Sequence, residues 1–135
     1  MAQPKIKVIH STGHSTRTIS SFVSALVSNG IEILIDIRTY PTSRFQPQFS
    51  KNNLAKSLLS VGIFYDHLGR NLGGKLPNVD YDKTVREIAE SVKDGAVICL
   101  CCSEKDENKC HRKSMLKPSF AKLGVEMVEI KYQNE

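Results

Sequence analysis

Residues 96–112 read AVICLCCSEKDENKCHR, an apolar run that turns abruptly polar and ends in Cys-His-Arg. An unbroken apolar run bounded by polar residues is typical of a strand buried on both faces of a parallel sheet. Such a strand delivers the residues that follow it to its carboxyl end, where open α/β folds bind ligands. We therefore expect one edge of the sheet to gather Cys102, Glu104, Cys110, His111 and Arg112.

Strand-like and helix-like patterns alternate on either side of this stretch. The strand-like runs are residues 6–10, 31–37, 63–68, 96–102 and 125–130. The helix-like patterns between them are residues 19–27, 50–62, 85–92 and 112–123. Such alternation predicts an α/β fold, so we expect residues 1–135 to form a single three-layer domain with a mainly parallel sheet of about five strands. The domain is Rossmann-like but has no dinucleotide motif.

The order of the strands decides which side chains meet. In the order 3-2-1-4-5, strands one and four are neighbours, and the chain reverses direction between them. The crevice at that point would hold His14 from one side and residues 102–112 from the other. Pro118 lies inside the last helical pattern, so it should kink that helix or delay its start.

Composition limits the classes of function. The chain has 135 residues, a net charge of +5, and 24% charged and 40% hydrophobic residues, which is ordinary for a globular protein. We expect a cytoplasmic protein, because the sequence has neither an apolar signal core nor a membrane-spanning run. The basic balance permits an anionic partner, such as a nucleic acid, a nucleotide or a phosphorylated metabolite.

Four cysteines in a cytosolic chain favour thiol, metal or redox chemistry over a disulfide framework. Alternation along the strand puts Cys99 and Cys101 on one face, in the core, and Cys102 on the other. Cys110 lies at the expected start of a helix, where the helix dipole and Arg112 would lower its pKa. The spacing of these cysteines from Arg112 does not match phosphatase or sulfurtransferase loops.

Two further segments supply candidate ligand-binding groups. Residues 12–15 follow a strand and precede a helix, so their backbone N–H groups could face an anion, and His14 could act as a general acid or base. Asp36 and Arg38 share a strand face, where an ion pair would either orient Arg38 toward the crevice or serve the structure alone. Arg44 lies in a long loop with two prolines, which is a second place for ligand contact.

These motifs together resemble one family, the domain-of-unknown-function family numbered 488. The resemblance is carried by four segments, in chain order. They are residues 12–15 with Arg17, residues 36–49, residues 65–74, and residues 102–106 with 110–112. The chain is short between Gly74 and Val85 for this pattern. The resemblance implies a compact α/β domain and does not imply an activity.

We interpret the protein as an enzyme for a small anionic or nucleotide-like substrate, with no metal or cofactor. The catalytic candidates are His14, Cys102, Cys110 and His111. The substrate-binding candidates are Thr12, Gly13, Ser15, Asp36, Arg38, Arg44, Glu104 and Arg112. Two alternatives stay open: a non-catalytic nucleic-acid-binding module, and a cysteine-based redox or metal sensor. Zinc held by Cys102, Cys110, His14 or His67 belongs to the second alternative.

Overall fold

A twisted parallel sheet forms the middle of the protein, as the computed structural model shows for residues 7–75 and 77–133. Its strands are β1 (Lys7–Gly13), β2 (Ile33–Asp36), β3 (Phe64–His67), β4 (Ile98–Cys102) and β5 (Val125–Glu129). The helices of the described residues are α1 (Ile19–Ser28), α2 (Lys51–Leu59), α3 (Gly69–Leu72), α4 (Tyr81–Lys93) and α5 (Lys117–Ala121). The predicted α/β class is therefore confirmed. The short helix α3 lies outside the helix-like patterns of the sequence.

The strand order is 3-2-4-1-5, and every pairing is parallel. The predicted contact between β1 and β4 is confirmed, but the order 3-2-1-4-5 is wrong, since β4 lies between β1 and β2. The reason is the side chains of β4, all of which are buried. A strand that is apolar on both faces is most stable in the centre of a sheet, where helices cover both sides.

Two apolar clusters fill the layers on the two faces of this sheet. One contains Phe22 and Leu26 of α1 and Leu54 and Leu58 of α2. The other contains buried side chains of α4 and α5, including Phe120. Cys99 and Cys101 belong to the first cluster and Cys102 to the second, as the alternation along β4 predicts. The end of β4 therefore delivers Cys102 to the face that α4 and α5 cover.

The chain after β4 departs most from the prediction. Instead of one helix over residues 112–123, a wide helical turn spans Arg112–Leu116, in which the N–H of Lys117 donates to the carbonyl of Arg112. The α-helix α5 begins only at Lys117, with Pro118 in its first turn. Proline has no N–H to donate, so it is favoured at a helix start and delays this one.

No helix within residues 7–75 and 77–133 is both long and apolar enough to cross a bilayer.

Candidate functional site

A cavity of about 340 Å³ lies at the carboxyl ends of β1, β2 and β4. This is the edge at which open parallel sheets bind ligands. It brings together six of the predicted site residues: His14, Arg38, Cys102, Glu104, Cys110 and His111. The other lining residues are Ile37, Thr39, Tyr40, Thr42, Ser43, Gly74, Lys75, Ser103 and Lys109.

Cys102 and Cys110 form a pair of free thiols at the floor of this cavity. Their Sγ atoms are 3.1 Å apart, and the two residues are 4% and 8% exposed. Cys102 is held by the strand, where it lies opposite Gly13 of β1. The chain then turns back through a short helical turn, Glu107–Lys109, in which the N–H of Asn108 donates to the side chain of Asp106. That turn returns Cys110 to the end of β4.

Arg112 is completely buried and holds the loop between the two cysteines in place through hydrogen bonds. Its Nε and Nη2 donate to the two carboxylate oxygens of Glu129 at 2.7 and 3.1 Å. Its remaining bonds run from Nη1 to Cys102 Sγ at 2.7 Å, from Nη1 to the Glu104 carbonyl at 2.8 Å, and from Nη2 to the Lys105 carbonyl at 3.1 Å. These contacts use every N–H of the guanidinium. Arg112 therefore has no donor left for a substrate, contrary to the role predicted for it.

The pKa values of the two thiols are shifted in opposite directions. Hydrogen bonding from the Cys102 thiol holds the pKa of Cys110 well below its usual range, and His111 and Arg112 lower it further. The pKa of Cys102 is raised by that same hydrogen bond and by burial, although the guanidinium of Arg112 opposes the shift. Cys110 is therefore the thiolate and Cys102 the thiol that donates to it, in the order of acidity that the sequence predicts.

His111 stands beside the thiolate in a defined orientation. Its Nε2 lies 2.8 Å from the carbonyl oxygen of Leu72, which can only accept, so Nε2 carries a proton. Its Nδ1 lies 3.6 Å from Cys110 Sγ. A Cβ on Gly74 would come within 2.9 Å of that nitrogen, so glycine is needed for the loop to pass this close. The imidazole can thus exchange a proton with the sulfur.

Arg38 reaches the cavity from β2 through a buried network. Its Nε and Nη2 donate to the carboxylate oxygens of Asp36 at 2.8 and 2.7 Å, and Tyr65 donates to the same carboxylate at 2.6 Å. Asp36 is therefore a positioning group beneath Arg38 rather than a group in the cavity. A guanidinium has more N–H groups than these contacts and the one to His14 use, so Arg38 retains donors at the cavity wall.

His14 closes the network on the β1 side. It is 3% exposed and stacks on Phe49 with 4.4 Å between ring centroids. Burial lowers the pKa of His14 from its usual 6.5 to about 4. The neutral ring donates from Nδ1 to the Ser15 carbonyl at 2.9 Å, so Nε2 accepts from Arg38 Nη1 at 3.2 Å. Its one lone pair is therefore engaged in holding Arg38.

Residues 12–15 join β1 to β4 instead of facing a ligand. The N–H of His14 donates to the Cys102 carbonyl at 2.9 Å, and that of Ser15 donates to the Ser103 carbonyl at 3.1 Å. A Cβ on Gly13 would lie 1.7 Å from the Glu104 carbonyl oxygen. The hydroxyl of Thr12 pairs with Tyr132 at 2.6 Å, away from the cavity lining. The predicted anion-binding turn therefore connects β1 to the end of β4, because the carbonyls of Cys102 and Ser103 accept the N–H groups of His14 and Ser15.

Arg44, Glu104 and His67 each have separate surroundings. Arg44 is exposed, does not line the cavity, and places its guanidinium 5.7 Å from the centre of the Phe45 ring. Glu104 lines the cavity, and its carboxylate accepts from the N–H of Asp106 at 3.3 Å. His67, a candidate for zinc, lies 2.6 Å from the Arg38 carbonyl. Within residues 7–75 and 77–133, no three His, Cys, Asp or Glu side chains are grouped to hold a metal ion.

The sequence did not single out Lys75 and Lys109 as site residues, although they add positive charge to the cavity lining. Lys75 directly follows Gly73 and Gly74, and Gly74 lies close to His111. This glycine pair was the local feature of the sequence that could have pointed to Lys75. The role of Glu129 had no local signal, because its partner Arg112 is distant in the sequence and reaches it only in the folded sheet.

The family model that matches this chain is described as "Domain of unknown function DUF488", and it covers residues 18–80. Over that segment the chain resembles this family. The matched residues include Asp36, Arg38 and the loop that carries Lys75. His14 and the cysteine loop lie outside the matched segment. A comparison with curated proteins found no match.

Proposed function

We propose that this protein is an enzyme that uses the Cys110 thiolate as a nucleophile against a small anionic substrate. The main support is the position of the Cys110 sulfur. It lies 3.1 Å from the Cys102 sulfur and lines a cavity together with Arg38, Lys75 and Lys109. A volume of about 340 Å³ suits a small ligand.

Fixed positive charge supports the choice of an anion. Arg38 is held on two sides by Asp36 and His14, so its remaining donors have a set direction without entropic cost on binding. Lys75 and Lys109 are exposed at the same cavity and can adapt to substrates of different size. An anion bound among these cations would hold its electrophilic atom beside the sulfur.

The chemistry follows from the neighbours of the nucleophile. The proton lost by Cys110 is held on His111 Nδ1, and the thiolate sulfur forms a bond to the electrophilic atom of the substrate. The leaving group departs with the bonding electrons and takes the proton from His111. Water attacks the thioester-like adduct in a second step and gives a proton to His111, and the bond to sulfur breaks, which releases the product and restores the thiolate. The Cys102 thiol and the N–H of Arg112 stabilise the thiolate at both ends of the cycle.

Paired alkylating reagents test this proposal without a known substrate. Iodoacetate carries a carboxylate, whereas iodoacetamide of nearly the same size is neutral. The rate ratio of iodoacetate to iodoacetamide at Cys110 should exceed that of a small free thiol on the order of tenfold, because the cations concentrate the anion. Rates are measured by mass spectrometry of the peptide that contains Cys110.

Lysine variants with equal loss of charge provide the control. K75A/K109A should lower the ratio and leave the iodoacetamide rate unchanged. K83A/K122A removes two exposed lysines that do not line the cavity, so it should keep the high ratio. A wild-type ratio equal to that of the free thiol, or equal effects of the two double variants, contradicts binding of an anion at this cavity.

A further inference from the structure

The distance between the two sulfurs points to a second chemistry that substrate binding does not require. Nucleophilic attack needs only one reacting sulfur, whereas here a second thiol lies 3.1 Å from it and also lines the cavity. We propose that Cys110 and Cys102 are the reacting and resolving cysteines of a site that reduces small hydroperoxides and closes as a disulfide. This inference rests on the same Cys110 nucleophile as the proposed function.

The first step oxidises Cys110. Its thiolate attacks the terminal oxygen of a hydroperoxide ROOH, an S–O bond forms, and the O–O bond breaks. The sulfur becomes a sulfenic acid, and RO⁻ leaves with the electron pair and takes a proton from water to give an alcohol. Only thiolates perform this step at a useful rate, and Cys110 is the thiolate of the pair. Both cysteines border the cavity, so a small peroxide reaches the sulfur without unfolding.

The second step uses Cys102. Its sulfur attacks the sulfur of the sulfenic acid, an S–S bond forms, and hydroxide leaves with the proton of the Cys102 thiol as water. Arg112 Nη1, 2.7 Å from Cys102 Sγ, stabilises the negative charge as that proton departs. The whole reaction converts two thiols and ROOH into a disulfide, ROH and water.

The fold is prepared for the closed form. The sulfurs have to approach by about 1 Å to reach the length of a disulfide bond, and seven residues, 103–109, lie between the two cysteines. Formation of the disulfide removes the negative charge of the thiolate near Arg112, but the carboxylate of Glu129 still neutralises the guanidinium. A thiol reductant restores the pair, with two thiols of the reductant becoming one disulfide.

The test is oxidation of the full chain by stoichiometric hydrogen peroxide, followed by intact mass and peptide mapping. We expect the mass to fall by two hydrogens, one linked peptide joining Cys102 to Cys110, and full reversal by dithiothreitol. C102S should instead accumulate a sulfenic acid at Cys110 that dimedone traps. C110S should lose the fast reaction, while the core variants C99A and C101A should keep the disulfide.

The outcomes separate this inference from the proposed function. If wild-type protein stays reduced, or oxidises at Cys110 without the link to Cys102, the resolving role is overturned even when Cys110 prefers iodoacetate. If the disulfide forms but iodoacetate has no advantage over iodoacetamide, anion binding fails and the redox inference stands. K83A/K122A should form the disulfide at the wild-type rate, because neither lysine lines the cavity.

Discussion

The acidity of Cys110 depends on single atoms placed around one sulfur. The sulfur accepts from the Cys102 thiol at 3.1 Å and from the N–H of Arg112 at 3.5 Å. Cys99 and Cys101, only a few residues earlier, are fully buried, and burial raises the pKa of both. Neighbouring residues of the same type therefore differ in reactivity because only two of them face a cavity and a cation.

The first of these contacts can be tested by the pH dependence of alkylation. The rate of Cys110 with iodoacetamide should change little between about pH 6 and about pH 8, whereas a free thiol slows about tenfold per unit below its pKa. C102A removes the donor with the largest effect, so its alkylation rate should rise with pH through the neutral range. C101A is the matched control and should keep the flat profile. A flat profile in C102A would show that Cys102 does not hold the thiolate.

At the scale of elements, one arginine connects three separate segments. Arg112 begins the wide turn Arg112–Leu116, donates to two carbonyls of the loop after β4, and pairs with Glu129 at the end of β5. Ser11 of β1 donates to the same carboxylate. A buried cation thus connects the cysteine loop to two strands.

Loss of this connection should be costly. We expect R112M to lower the free energy of unfolding by about 3–5 kcal/mol, because it leaves the carboxylate of Glu129 and two loop carbonyls without their donor. The double variant R112M/E129M should recover part of that loss, since no unpaired charge remains. K113M alters an exposed neighbour and should have little effect. Urea unfolding measures all three, and a loss below about 1 kcal/mol in R112M would contradict the bracing role.

At the scale of the whole molecule, the site exists only because three strands converge. β1 ends beside His14, β2 beside Arg38, and β4 at Cys102, and the order 3-2-4-1-5 makes these strands neighbours. This convergence buries several polar side chains. His14 is among the most buried of them and stays neutral.

Stability should therefore depend on pH through His14. Its pKa is lowered from 6.5 to about 4 in the folded protein, so between these values the unfolded chain binds a proton that the folded chain does not. The free energy of unfolding should fall as pH drops through this window, by at most about 1.4 kcal/mol per pH unit from this group. H14N should show a shallower slope there and the wild-type slope above pH 7. Denaturant midpoints measured across pH decide the matter, and an unchanged slope in H14N would contradict the assignment.

Much of the fold and part of the site followed from local patterns. Alternating strand-like and helix-like segments determined the parallel α/β architecture. Short apolar runs suit buried strands, whereas apolar residues spaced three to four apart suit one face of a helix. Alternation along β4 placed Cys99 and Cys101 in the core and Cys102 on the opposite face. The spacing of Asp36 and Arg38 allowed their ion pair to be anticipated. These features depend on neighbours along the chain.

Only the tertiary structure decided what the polar groups bind. The central place of β4, the bond from Arg112 to Glu129, and the use of the His14 and Ser15 N–H groups by β4 all join residues far apart in the sequence. An arginine, or a turn before a helix, has the same local appearance whether it faces a ligand or another strand. Buried donors take the nearest acceptors that folding supplies, so their partners depend on the order of the strands, which the local pattern does not specify.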